Sequence, residues 1–221
     1  MTEFSLQSAI DKAISEEKHE EHKVTSWRPS RIGACRTGMY LERLGVEPTP
    51  FDARTLRIFQ AGDIFEDWVA DKLQKGNTRI QRQIRLEWPE QDVTGYADAL
   101  VLDELVYEFK SRHSKSFWYM VNKGEGASLS HLMQLWLALK ILDKPEGRLV
   151  YISKDDLSIL EYPLFLETER VAEATMEELR ILNKAWLEKK PPQPIKNVKD
   201  WRNRYCRWHK TCLSQSEYLP E

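Results

Sequence analysis

The chain has few cysteines, no long apolar run and no dominant charge, and each lack excludes something. Three cysteines in 221 residues, Cys35, Cys206 and Cys212, are odd in number and too sparse for the disulfide framework of a secreted protein. No apolar stretch approaches the ~20 residues that span a bilayer, so no membrane partner is expected. The first residues, MTEFSLQSAIDKAISEEKHEEHK, are polar and acidic and lack the basic-then-apolar layout of a secretory leader, which points to a cytoplasmic protein. With 33 Lys and Arg against 35 Asp and Glu, the net charge of −2 provides no global field for nucleic acid. Internal repeats and low-complexity tracts are also missing.

What is present is enough for a folded domain. Apolar residues make up 41% of the chain and charged ones 31%, which excludes disorder throughout. The charge is unevenly spread. Residues 184–212 hold nine Lys or Arg and two Asp or Glu, a local charge of +7. Such a stretch suits a local anionic partner, or it is simply a solvated tail.

Periodicity and punctuation give the element order. Residues 5–22 read as a polar helix, and Ser30 caps a second one that runs through RIGACRTGMYLERL to Gly45. Asp52 opens a long helix closed by Gly76. Three strand-like runs follow at 78–88, 93–101 and 105–111, then a helix over 126–142. RLVYISK and SILEYPL read as two more strands, and 167–189 as a helix ending before Pro191. The last thirty residues look irregular, basic and aromatic. This order predicts an α/β core with a mixed sheet flanked by helices.

The informative stretch is VTGYADALVLDELVYEFKS. A turn centred near Asp103 sets Asp98 across from Glu108. Alternation along the strands then puts Asp98, Glu108 and Lys110 on one face with Tyr96, Leu100 and Val106. The other face carries Ala97, Ala99, Val101, Leu105, Tyr107 and Phe109. Two largely apolar faces mark interior strands. Charges buried there cost several kcal/mol each unless paired or bound to metal. Two facing carboxylates repel unless a cation lies between them. Oxygen ligands suit Mg²⁺ or Mn²⁺, with Lys110 placed to orient a water or stabilise a phosphate.

Other candidates surround this set. Glu66 lies on a helical stripe with Gly62, Val69 and Leu73 and could complete a metal shell, whereas Asp63, Asp67 and Asp71 read as solvated. Gln134 is a lone amide in the apolar run Leu132–Leu139. It either positions Lys110, a metal-bound water or a DNA phosphate, or bonds a nearby carbonyl. His131 lies one turn earlier on the same face, as a structural or a site residue.

Gly95-Tyr-Ala-Asp98, Glu108-Phe-Lys110 and His131-x-x-Gln134, in this order, resemble the PD-(D/E)XK nuclease superfamily. More narrowly they resemble RecB-like exonucleases of the CRISPR-associated and phage-encoded type. The resemblance covers about Ser30 to Cys212. It implies a restriction-endonuclease-like core at 26–190, behind a polar helical extension at 1–25 and ahead of a basic cysteine-bearing segment at 191–221 that packs with the 30–45 helix. It also implies Mg²⁺ or Mn²⁺ ligands at Asp98, Glu108 and the Phe109 carbonyl, with Lys110 as catalytic lysine. The chain departs from the family at Glu66, where His is usual, and at Ala138, where Tyr is usual.

Iron–sulfur members of this family carry one early Cys and three late ones. Here Cys35 matches the early one, and Cys206 and Cys212 two of the late ones, with Asn203 standing in the remaining place. His209 offers a fourth ligand for a [4Fe–4S] cluster, or Cys₃His for zinc, and the alternative is three unligated thiols.

The resemblance implies a metal-dependent DNA exonuclease acting on single strands or ends. The segment after Lys110 interleaves Arg112, Lys115 and Lys123 with Phe117, Trp118 and Tyr119, and this mixture can follow a backbone and stack bases. A homo-oligomer or partner nuclease subunits are compatible with it. The competing readings are a catalytically silent DNA-end-binding subunit for CRISPR adaptation or recombination, and a restriction-type endonuclease.

Overall fold

β-branched and aromatic alternation, punctuated by turns, folds the middle of the chain into one sheet of five strands in the order β1-β2-β3-β4-β5. The strands are β1 (Ile80–Trp88), β2 (Val93–Val101), β3 (Leu105–Arg112), β4 (Glu146–Ser153) and β5 (Ile159–Phe165). The computed structural model describes residues 5–17, 24–195 and 200–214. All neighbouring strands are antiparallel except β3 and β4, which run parallel. The connection between these two holds helices α4 (Ser114–Lys123) and α5 (Leu129–Leu142). The other principal helices are α1 (Leu6–Glu16), α2 (Arg36–Leu44), α3 (Ala53–Lys75) and α6 (Glu169–Leu187). The mixed sheet with helices on both faces is the expected α/β, restriction-endonuclease-like core.

The sheet is buried on both sides. On one face Val106, Leu149 and Tyr151 join the main core with Leu135 and Leu139 of α5 and Leu179 and Leu182 of α6. On the other, Val150 and Ile152 meet Val69, Phe65, Trp68 and Leu73 of α3, with Tyr107 and Phe109 packed alongside. β3 thus presents apolar side chains both ways, the pattern of an interior strand. The β2–β3 turn is as expected. Ala99 pairs with Tyr107 and Val101 with Leu105, so the hairpin centres on Asp103. Leu102 and Asp103 take left-handed backbone conformations there, at φ 54° and 58°.

Several boundaries differ from the sequence reading. The helix expected from Ser30 is a short 3-10 turn at Pro29–Arg31 followed by α2, which Cys35 caps. Gly33 breaks it at φ 81°, where a Cβ would come within 3.0 Å of Ser130. The segment over 126–142 becomes helical only at Leu129. Ahead of it α4 is a separate helix, stopped by Gly124 in the left-handed region. The first helix ends at Glu16, and residues 18–22 of that expectation lie outside the described residues. The C-terminal stretch is more ordered than its composition suggests. It forms short helices α7 (Trp201–Arg204) and α8 (His209–Ser214), and Asp200 caps the first by accepting the Arg202 N–H at 2.9 Å.

That stretch lies against the early chain. Trp208 is fully buried and its indole N–H donates to the Val46 carbonyl at 2.8 Å. The Thr49 N–H donates to the Arg207 carbonyl, and Thr37 Oγ1 to the Pro192 carbonyl. Among the described residues no helix is long and apolar enough to cross a membrane.

Candidate active site

The geometry of the site starts from Asp98, which sits where the sheet loses its regular pairing on both sides. Toward β3 the ladder stops at Ala99–Tyr107, one residue short of an Asp98–Glu108 pair. Toward β1 the register runs through Arg82–Ala99 and Ile84–Ala97, and Gln83, opposite Asp98, makes no pair. Gln83 holds φ 50°, a kink that a β-strand interior does not require. The backbone donors freed by these breaks meet a side chain instead, since the Phe109 N–H donates to Asp98 Oδ2 at 2.8 Å. The carboxylate is thereby held by the β3 backbone, within hydrogen-bond reach of Glu108.

Glu108 is 1% exposed, at the centre of the sheet. Burial pushes its carboxyl up to about 8, and Asp98, within hydrogen-bond reach, adds to the shift, while Lys110 opposes it. Lys110 Nζ donates to Glu108 Oε1 and keeps a quarter of its side chain exposed. Burial alone would pull the Lys110 ammonium down. The Glu108 and Asp98 carboxylates outweigh this and hold it above its ordinary value. Burial favours the protonated form of Glu108, and a cation beside the two carboxyls would favour the ionised form of both. A hard divalent cation is the species that such a donor set fits. Asp98 and Glu108 would hold it, with the Phe109 carbonyl beside them.

Glu66 stands differently from expectation. Its Oε1 accepts from Gln83 Nε2 at 2.9 Å and from Arg82 Nη2 at 3.2 Å. It is tied to the strand position opposite Asp98, but it does not gather with Asp98 and Glu108. Among the described residues no three or more His, Cys, Asp or Glu side chains stand close enough together to hold a metal ion. The reason is that α3 packs on the Tyr107 and Phe109 face of the sheet, whereas Glu108 and Lys110 share the alternation of Val106 toward α5.

On that α5 side His131 Nδ1 lies 2.9 Å from the Tyr151 hydroxyl. Tyr151 is fully buried and occupies the β4 position in register with Lys110. Arg112 lays its guanidinium 5.0 Å from the same ring. Burial lowers His131 to about 3, with the Lys110 and Arg112 charges adding to it, so the imidazole is neutral. Gln134 is buried and makes no side-chain hydrogen bond among the described residues. Tyr151 and Gln83, which adjoin this set, do not stand out in the sequence. One is a tyrosine in an apolar strand and the other a glutamine in an alternating one, and only strand pairing shows what they face.

The cysteines come together without completing a metal set. Cys35 and Cys206 are within hydrogen-bond reach of each other. Gly38 of α2 lets them approach, since a Cβ there would lie 2.8 Å from Cys206 Sγ. The Cys206 contact lowers the Cys35 thiol to about 6 against the effect of burial. The same contact raises Cys206, and burial pushes Cys212 up to about 11. Asn203, in the place of a fourth cysteine, is buried and donates from Nδ2 to the Ile195 carbonyl at 2.8 Å. The residues present therefore do not fit a four-thiolate cluster. His209 offers its backbone N–H to the Cys206 carbonyl.

Of the residues expected to meet DNA, Lys115, Trp118 and Lys123 lie on α4. Phe117 and Met120 anchor this helix while Trp118 and Tyr119 are exposed. Lys123 Nζ stands 5.8 Å from the Trp118 ring.

A five-stranded mixed sheet with an Asp–Glu–Lys set on its central hairpin defines the class as restriction-endonuclease-like. The same fold occurs in the crystal structure of SSO0001 (TM-score 0.59, 20% identity, 95% of this chain and 96% of that one). It also occurs in an alkaline exonuclease, LHK-Exo, from Laribacter hongkongensis (TM-score 0.57, 13% identity, 76% of this chain and 90% of that one). LHK-Exo in complex with dAMP gives a TM-score of 0.59 at 15% identity, over 75% and 90% of the two chains. No family model and no curated protein matches the sequence.

Proposed function

We propose that the chain is a metal-dependent DNA exonuclease of the RecB-like type, hydrolysing phosphodiester bonds in single strands or at ends. The observation that carries this reading is Glu108, a carboxyl 1% exposed in the middle of the sheet, coupled to both Asp98 and Lys110. A scaffold has no use for two facing acids in its core. The fold shared with an alkaline exonuclease, itself crystallised with a deoxynucleotide monophosphate, supports the same direction.

Mg²⁺ or Mn²⁺, when bound, would supply an activated water and neutralise charge on the phosphate. The chain's own residues do the rest. Asp98 is held in place by the Phe109 N–H. Lys110, partly solvent-accessible and fully charged, donates to the attacking water or to a non-bridging phosphate oxygen as charge develops. Tyr151, in register with Lys110 on β4, holds the neutral His131 ring through its hydroxyl.

End-labelled single strands, linear duplex and closed circles, each incubated with Mg²⁺, Mn²⁺ or EDTA, test this. Degradation of linear strands only, and only with metal, is the expected result. Site-specific cutting of circles would replace the reading with an endonuclease. Binding without cleavage in any metal would replace it with a silent end-binding subunit.

A further inference from the structure

The helix that follows the candidate active site carries a second feature that hydrolysis does not use. Lys115, Trp118 and Asn122 recur three and four residues apart, so they form one stripe along α4. Asn122 Nδ2 donates to the Trp118 carbonyl at 3.0 Å, fixing the turn that bears the indole. The stripe is one wall of an open groove of about 450 Å³, and Ser153 and Asp156 form part of the opposite wall. Trp118 lines it while 49% exposed, beside Tyr119 at 41%. Two adjacent half-exposed aromatics on a helix already anchored by Phe117 and Met120 contribute little to its packing.

The groove starts next to the active site. Lys110 is in register with Tyr151 and Arg112 with Ser153, so Ser153 is two residues, roughly 7 Å, along β4 from the position opposite Lys110. Its charge is polarised. Lys115 lines the α4 side, and Lys123, outside the lining, stands 5.8 Å from the indole. Asp156 lies on the other, its carboxylate held by the Ser158 hydroxyl at 2.8 Å. A phosphate backbone is repelled from the Asp156 wall and held along the lysines, leaving the bases to face the indole.

We propose that α4 is a base-stacking shelf: Trp118 stacks an unpaired base of a single DNA strand a few nucleotides from the scissile phosphate, with Lys115 and Lys123 on its backbone. The inference rests on the DNA-hydrolysis reading and specifies its substrate as an unpaired strand, because a base within a duplex has both faces occupied.

The test is fluorescence anisotropy with the full chain in EDTA, strand integrity checked on a gel. Two labelled 12-mers of equal charge are compared, one of thymidines and one wholly abasic. The thymidine strand is expected to bind roughly tenfold tighter. Trp118→Ala should erase that difference while the abasic strand binds as before, and Trp118→Phe should keep most of it. Equal binding of both strands by the unaltered chain overturns the shelf, as does a preference that survives Trp118→Ala. A chain that prefers bases yet never cleaves sinks the nuclease reading and keeps the shelf. A chain that cleaves without preferring bases does the reverse.

Discussion

The central hairpin and the cysteine clasp were both read from short motifs, and the structure treats them differently. At the hairpin the three expected side chains lie together, with Asp98 on the Phe109 N–H, Glu108 buried and Lys110 on Glu108, while Glu66 stays apart. At the clasp the thiols meet, but the fourth position is an amide turned to a carbonyl. The difference follows from what burial costs. A carboxylate in a core is destabilising by several kcal/mol unless something is gained from it, so its presence carries information. A thiol is a small hydrophobe, comfortable in a core with or without a metal. A buried acid is therefore the stronger pointer to a site, and a buried cysteine the weaker.

The largest expected effect tests the first half of that contrast. Lys110→Ala and Asp98→Ala should each lower cleavage of labelled single strands by on the order of 10³-fold, with circular dichroism and melting cooperativity unchanged. Retained cleavage would make the hairpin charges structural and erase the distinction. Next in size is the clasp. Trp208→Ala should cost about 3–5 kcal/mol in denaturant unfolding, because a fully buried indole on the Val46 carbonyl is removed. Cys206→Ala should cost only about 1 kcal/mol. The reverse order would mean that the thiols, not the packing, fasten the two ends.

A third effect separates the regions by ligand. Mg²⁺ or Mn²⁺ at about a hundred times its dissociation constant should stabilise the chain by about 2.7 kcal/mol, a melting shift of several degrees. Asp98→Ala should abolish the shift and Cys35→Ser should leave it intact. A shift lost with Cys35 and kept without Asp98 would move the metal to the clasp.

How much of this was legible depended on period and pairing. The hairpin register followed from one turn at Asp103, because alternation propagates it in both directions. The sheet and its flanking helices followed from the switch between the two periods. Glu66 did not follow. Helical spacing shows which residues share a stripe and cannot show which face of the sheet that stripe packs on, and α3 takes the Phe109 side. The partner of Glu66 is Gln83 at a kink with φ 50°, and no residue type in IQRQIRL signals that conformation. Gly33 was read inside a helix, but it takes φ 81° where a Cβ would lie 3.0 Å from Ser130.

The smallest effect sharpens the comparison from within the hairpin region, through His131. Its imidazole is held at about 3 by burial and by the charges of Lys110 and Arg112, with the Tyr151 hydroxyl on Nδ1. A histidine in the unfolded chain titrates near 6.5. Between these values the unfolded chain binds a proton that the native one refuses, so stability is full above about 6.5 and drains as the pH falls toward 3. The carboxylates drain stability in an overlapping range, so the informative quantity is a difference between chains. His131→Gln should be less stable than the parent at pH 7.5, where the neutral ring packs well, and the gap should narrow or invert by pH 4.5. Urea titrations of both chains at the two pH values measure it. A gap independent of pH would mean that the ring is protonated in the native state, and a second cation would then neighbour Lys110.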